Sequence, residues 1–222
     1  MSPLAIVSRL RACDRTLCRK ARDLVDAIMG YTDLVGVTGG LAYNPYKASD
    51  IDIVVYGSRV DRVYQLLVEL RREGVTAPYR GAGHGWSSSD IELNTALNKE
   101  RVLIGYIDGF EYNVKLVPCT KPAPCIPFRT VKAGVKARGV VKRVSPYTVP
   151  AVYRLELYKP LTLGTKSYTW VYLFSYRLRY TEIPEGMAVE AKGVLEEFEG
   201  LVRLVPDHSG YVKPLYRPSS SQ

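Results

Sequence analysis

Two aspartates separated by one residue, Asp50 and Asp52, open the apolar run "DIDIVV" at residues 50–55. In a strand, side chains two apart share a face, so both carboxylates project together while Ile51 and Ile53 enter the core. Two strand rises separate them by about 6–7 Å, and they can converge on one divalent cation or a pair of cations. Taken alone, the pair also reads as a strand end whose acids relax into solvent. It is not alone, because Thr38, Gly39 and Gly40 end the preceding apolar run "DLVGVTGG". Glycine lets backbone N–H groups approach a phosphate closely. A glycine turn that feeds phosphate to a metal-bound acid pair suits phosphoryl or nucleotidyl transfer, in which the cation neutralises developing charge and activates an acceptor hydroxyl. Lys47 and Ser49, in the spacer before Asp50, could reach a triphosphate held there; a solvated loop lysine is the plainer reading of Lys47.

The flanking residues specify the elements that hold these groups. Residues 3–29 carry Leu4, Val7, Leu10, Leu17, Ala21, Leu24, Val25 and Ile28 near helical period, with Gly30 as a stop. "DLVGVTGG" and "DIDIVVYG" read as two strands. "SRVDRVYQLLVELRREG" reads as an amphipathic helix from an Ser58 cap to Gly74. Residues 75–90 form a Gly- and Ser-rich loop with Arg80 and His84, either closing over phosphates or lying plainly on the surface. A short helix through "IELNTALNKE" takes Ser89 or Asp90 as its cap, and "RVLIGYID" with "EYNVKLVP" reads as a hairpin about Gly109.

With nine residues between Gly40 and Asp50, "VTGG" followed by "SDIDIVV" resembles the signature of the DNA polymerase beta-type nucleotidyltransferase superfamily. The helices before and after agree with that family's minimal fold, and the resemblance covers residues 20–118. It implies that Gly39 and Gly40 contact nucleotide phosphate and that Asp50 and Asp52 ligate catalytic Mg²⁺ (or Mn²⁺), with a nucleoside triphosphate as donor. The family supplies a third carboxylate from a later strand, and here the pattern departs. "GFEYNVKLVPC" is similar to the corresponding strand of archaeal CCA-adding enzymes, which also ends in Val-Pro-Cys. Counting back from that ending puts the acid at Lys115; counting forward from Gly109 puts it near Asn113. Glu111, on the same strand face, is the remaining candidate, although a solvated hairpin glutamate reads equally well. Without a third acid the fold would bind nucleotide and transfer slowly or not at all.

The 222 residues suffice for one large or two small domains, and 46% hydrophobic with 24% charged residues is ordinary globular composition. No run of 18 apolar residues indicates a span, and arginines interrupt the N-terminal segment where a signal peptide would be continuous, so a cytoplasmic protein is expected. Residues 1–120 hold 15 Lys and Arg against 14 acids, whereas residues 121–222 hold 16 against 8. That asymmetry points to a polyanion partner for the second half, or to solubility alone. Cys13, Cys18, Cys119 and Cys125 lack the spacing of a zinc knuckle, and only two histidines accompany them. Two Gln and four Asn against 17 Tyr suggest a thermophile, in which Cys119 and Cys125 could staple their loop.

The expected fold class is α+β: a nucleotidyltransferase-like domain over 1–120, a Pro-rich linker over 121–130, a basic all-β domain over 131–216 and a disordered tail over 217–222. Runs such as "VKARGVVKRV", "AVYRLELY" and "MAVEAKGVLEEF", split by turns, indicate a small barrel or sandwich of about five strands. The mid-strand glycines of "ARGVV" and "AKGVL" mark bends of such a barrel. Interleaved Tyr and Arg there are similar to an oligonucleotide-binding five-stranded barrel, which suits RNA by stacking and phosphate contact, or else they are ordinary core and surface.

Overall fold

Alternate residues of the acid-bearing strand meet opposite surroundings: Ile51, Ile53 and Val55 are at most 1% exposed, while Asp50 and Asp52 are half-buried. The computed structural model describes residues 10–32, 34–81, 86–119 and 127–215. His84, Cys125 and the tail from residue 216 lie outside the described residues. The chain is mixed α+β with two mixed sheets of five and six strands. It divides into two units, residues 1–80 with 100–121, and residues 81–99 with 122–222. Among the described residues no helix is long and apolar enough to cross a membrane.

In the first unit α1 (Thr16–Met29), β1 (Val35–Thr38), α2 (Gly39–Tyr43), β2 (Asp50–Gly57), α3 (Val60–Arg72) and β3 (Ala77–Pro78) precede β4 (Ile104–Ile107) and β5 (Phe110–Pro118). The sheet order is β1-β2-β5-β4-β3, with β2 and β5 parallel and the other pairs antiparallel. α1 and α3 contact β2, and α3 also contacts β5. They bury Leu24, Ile28, Val63 and Leu67, the apolar stripe expected of each helix. The hairpin turns at Asp108 and Gly109, both at positive φ (48° and 82°), and Lys20 reaches Asp108 at 2.6 Å.

The continuous helix expected over 3–29 is broken at residues 11–15, where Cys13 and Cys18 form a disulfide. Arg22 Nη1 donates to the carbonyls of Leu10, Arg11 and Cys13 at 2.9, 3.1 and 3.2 Å, and Leu10 O also accepts from Cys13 N at 3.2 Å, so the break is bridged by one side chain and one backbone bond. Cys119 is a free, exposed thiol.

In the second unit α4 (Ser88–Leu97) joins β6 (Arg129–Ser145), β7 (Ala151–Leu163), β8 (Lys166–Ser175), a 3-10 turn at Leu178–Tyr180, β9 (Ala188–Phe198), β10 (Leu201–Val205) and β11 (Tyr211–Pro214). Pairings β6–β7, β7–β8, β8–β10, β10–β9 and β9–β6 form a closed circuit, with β8–β10 parallel and β11 added to β9. Val141, Leu155, Leu173, Leu195 and Leu204 fill its interior. Gly139 and Gly193 are the mid-strand glycines: a Cβ at either would overlap the carbonyl oxygen of Glu156 or Val205, so neighbouring strands close in only because the methylene is absent.

The expected domain boundary at residue 120 misplaces residues 81–99, which go with the later strands. Leu93 and Leu97 are buried in the second core, and the Tyr180 hydroxyl donates to Asp90 Oδ1 at 2.7 Å. The helix cap is Ser87 rather than Ser89 or Asp90. That choice puts Asp90 at the third helical position, where both hydrogen bonds of a capping box form.

Candidate functional site

β1 and β2 pair so that Thr38 stands opposite Asp52, and the chain then turns at Gly39 with φ +61°. A Cβ at Gly39 would overlap Asp52 Oδ2 and lie 2.9 Å from its Cγ, so only glycine fits against that carboxylate. A Cβ at Gly40 would lie 3.4 Å from Ala48 Cβ and 3.9 Å from Asp50 Oδ1. Each glycine therefore borders one of the two acids. Backbone bonds from Asn44 N to Gly40 O (2.8 Å) and Ala48 N to Asn44 O (3.1 Å) fold the spacer between glycines and acids, and Arg15 Nη1 ties it down at Pro45 O (2.6 Å). Lys47 and Ser49 are exposed on that loop, and Arg80 is exposed at the end of the first unit's leading segment.

β5 lies beside β2 in parallel register, with Glu111 against Asp50, Asn113 against Asp52 and Lys115 against Val54. All three share the face of the acid pair and are half-buried. Burial raises the Asp52 carboxyl above the ordinary carboxylate range, and the Asp50 charge adds to this. The Lys115 ammonium and a hydrogen bond from the Asn113 side chain pull the other way. Two crowded carboxylates, one desolvated, gain most from a hard cation with oxygen ligands, so the pair fits a divalent ion.

Glu111 shares the row without completing a third ligand: among the described residues no group of three or more His, Cys, Asp or Glu gathers about a common metal position. On its other side Glu111 stands opposite Tyr106 of β4. Burial first, then the Glu111 charge, raises the Tyr106 phenol, whose ring stacks on Tyr79 at 5.4 Å. In the sequence Asn113 and Lys115 are only misfits at an acidic position. Their role as partners of Asp52 follows from a parallel register that spans some sixty residues and leaves no local trace.

A cleft of about 400 Å³ in this unit is lined by Thr32, Leu34, Gly57, Ser58, Arg59 and Cys119. It sits at the Gly57 end of β2, seven residues from Asp50, or about 23 Å along the strand, so it is separate from the acid pair. No protein-family model matches the chain, and no curated protein matches it.

Proposed function

We propose that the first unit is a divalent-cation-dependent nucleotidyltransferase of the polymerase beta type, moving NMP from an NTP to a hydroxyl acceptor. The observation that carries this reading is the fit of Gly39 against Asp52 beside the same-face partner Asp50. Asp50 and Asp52 would hold Mg²⁺. Bound there, the ion supplies neutralisation of triphosphate charge and a lowered acceptor pKa. Thr38, Gly39 and Gly40 bring small groups and backbone to the phosphates, with Lys47 and Ser49 on the loop above. The acceptor oxygen forms its bond to the α-phosphorus as the bond to the pyrophosphate oxygen breaks. Pyrophosphate leaves with that electron pair, and Glu111 is the carboxylate of the row left to take the hydroxyl proton. The second unit's closed circuit of strands, ordered β6-β7-β8-β10-β9, is similar to an oligonucleotide-binding barrel and supports RNA as acceptor.

A second reading is a nucleotide-binding module without turnover. Asn113 and Lys115, standing where an acid is expected, favour it. Incubation with labelled NTPs, Mg²⁺ and RNA separates the two: transfer that disappears in Asp50→Ala and Asp52→Ala supports the enzyme. Transfer that persists in both variants sinks it, and nucleotide binding without transfer to any acceptor favours the module.

A further inference from the structure

On β8 aromatic residues recur at every second position, Trp170, Tyr172 and Phe174, while Val171, Leu173 and Ser175 between them are buried. The period of two puts the rings together on the outer face. They are half-buried, so their apolar surface stays partly in water. Trp170 and Tyr172 meet edge to face at 5.1 Å.

Cations flank the rings in register. Lys142 of β6 stands opposite Arg154 of β7, Arg154 opposite Tyr172, and Tyr172 opposite Arg203 of β10, one row across four strands. Like charges directly opposite are destabilising unless an anion joins them. Glu185 and Glu156 approach Lys142 and Arg154 only at 3.7 Å with all four side chains roughly half exposed, contacts that a phosphate can displace at little cost. Arg154 lies over the Trp170 ring at 4.8 Å. Arg203 is held over Phe174 at 4.4 Å and bonded to Glu196 at 2.6 Å, which stiffens the platform. A cleft of about 540 Å³ opens beside Tyr172, Phe174 and Arg203, within the usual size of small-ligand sites.

We propose that this outer face is a track for single-stranded nucleic acid, with bases stacked on Trp170, Tyr172 and Phe174 and phosphates at Lys142 and Arg154. Ring faces suit any exposed base, and the flanking cations suit the backbone. The excess of basic residues in the second half, 16 against 8, is of the sign this partner requires. The track deepens the reading of the second unit as the acceptor-holding part, and it makes no use of the aspartate pair. Stacking and phosphate contact read no 2′-hydroxyl, so RNA and DNA single strands bind alike, and a duplex, its bases already stacked, binds poorly.

The test is fluorescence anisotropy of the full chain, without NTP or divalent ions, against labelled oligo(U), oligo(dT) and a duplex of the same length. Both single strands bind comparably and the duplex at least tenfold more weakly. Tyr172→Ala weakens single-strand binding about fivefold to a hundredfold, and Tyr172→Phe retains it. Lys142→Ala with Arg154→Ala lowers the slope of log K against log salt by about 1.4. Thermal melts show that each variant is folded. No single-strand binding, equal duplex binding, or binding indifferent to both folded sets of variants overturns the track. Asp50→Asn separates the two proposals. Strand binding that survives in it, with no transfer even by the native chain, removes the enzyme and keeps the track; transfer by the native chain without strand binding does the reverse.

Discussion

Asn113 stands opposite Asp52 across the parallel β2–β5 pair, both half-buried on one face, and its amide opposes the burial that raises the Asp52 carboxyl. A neutral donor thus occupies the position beside the acid pair where a third carboxylate would serve a metal. Asn113→Asp replaces that donor with a third negative charge on one half-buried face. Without divalent ions the variant is expected to melt lower by a few degrees, about 1–2 kcal/mol of like-charge repulsion. Added Mg²⁺ should restore more melting temperature in the variant than in the native chain. Melts in EDTA and in Mg²⁺ read this directly, and equal Mg²⁺ shifts in the two proteins would count against a metal at this face.

The two glycines bordering the acids are not equivalent. Gly39 combines φ +61° with direct overlap of any Cβ on the Asp52 carboxylate, whereas a Cβ on Gly40 meets Ala48 Cβ at 3.4 Å, near ordinary contact. Gly39→Ala should cost about 2 kcal/mol or more and weaken Mg²⁺ or nucleotide binding at least tenfold, because Asp52 must move. Gly40→Ala should cost less than about 1 kcal/mol. Calorimetric titration of Mg²⁺ and ATP, beside melts of both variants, checks the ordering; equal losses would contradict it.

What was legible in the chain beforehand was whatever a short window contains. Val60, Val63 and Leu67 show their helix by period, and Ile51, Ile53 and Val55 show their strand by alternation. Asp108-Gly109 shows its hairpin because both residues must take positive φ. The acids and glycines of the site were legible for the same reason, since one turn and one strand carry them all. Long-range pairings were not. Nothing near Ser88–Leu97 reveals that its leucines pack among strands thirty and more residues later, and nothing near Asn113 reveals that it faces Asp52. The Cys13–Cys18 bridge was illegible for a related reason: the helical period of Leu10, Leu17 and Ala21 runs past both cysteines, and Arg22 reaches back from the helix to three carbonyls at the break.

That disulfide offers its own prediction. Cys13 and Cys18 are buried at 1% and 0% exposure and close a short loop at the start of α1. Chain-entropy reasoning for so small a loop gives about 2 kcal/mol. Reduction, or Cys13→Ala with Cys18→Ala, should lower the melting temperature by about 4–8 °C. Arg15, inside the loop, holds Pro45 O, so amide exchange should quicken at residues 46–49 as well. Mass-resolved exchange with and without reductant measures both, and unchanged exchange at 46–49 would show that the spacer does not depend on the bridge.

Acid stability should be governed in the second unit by Glu190. Its side chain is 4% exposed and is bonded by Tyr211 Oη at 2.6 Å and Arg138 Nε at 2.5 Å, with Lys213 Nζ at 3.5 Å. The Tyr211 hydrogen bond foremost, then Arg138 and Lys213, hold the carboxyl down to about 2 from 4.5, while burial opposes them. A lowered folded-state value means that the unfolded chain takes up the proton first as pH falls. The stabilisation is therefore complete above about pH 4.5 and is lost progressively toward pH 2. Glu190→Gln should lose on the order of 2–3 kcal/mol at pH 7 and show a flatter decline of stability below pH 4.5. Denaturant titrations between pH 2 and 7 compare the two slopes. A variant that declines as steeply as the native chain over that window would assign acid unfolding to other carboxylates.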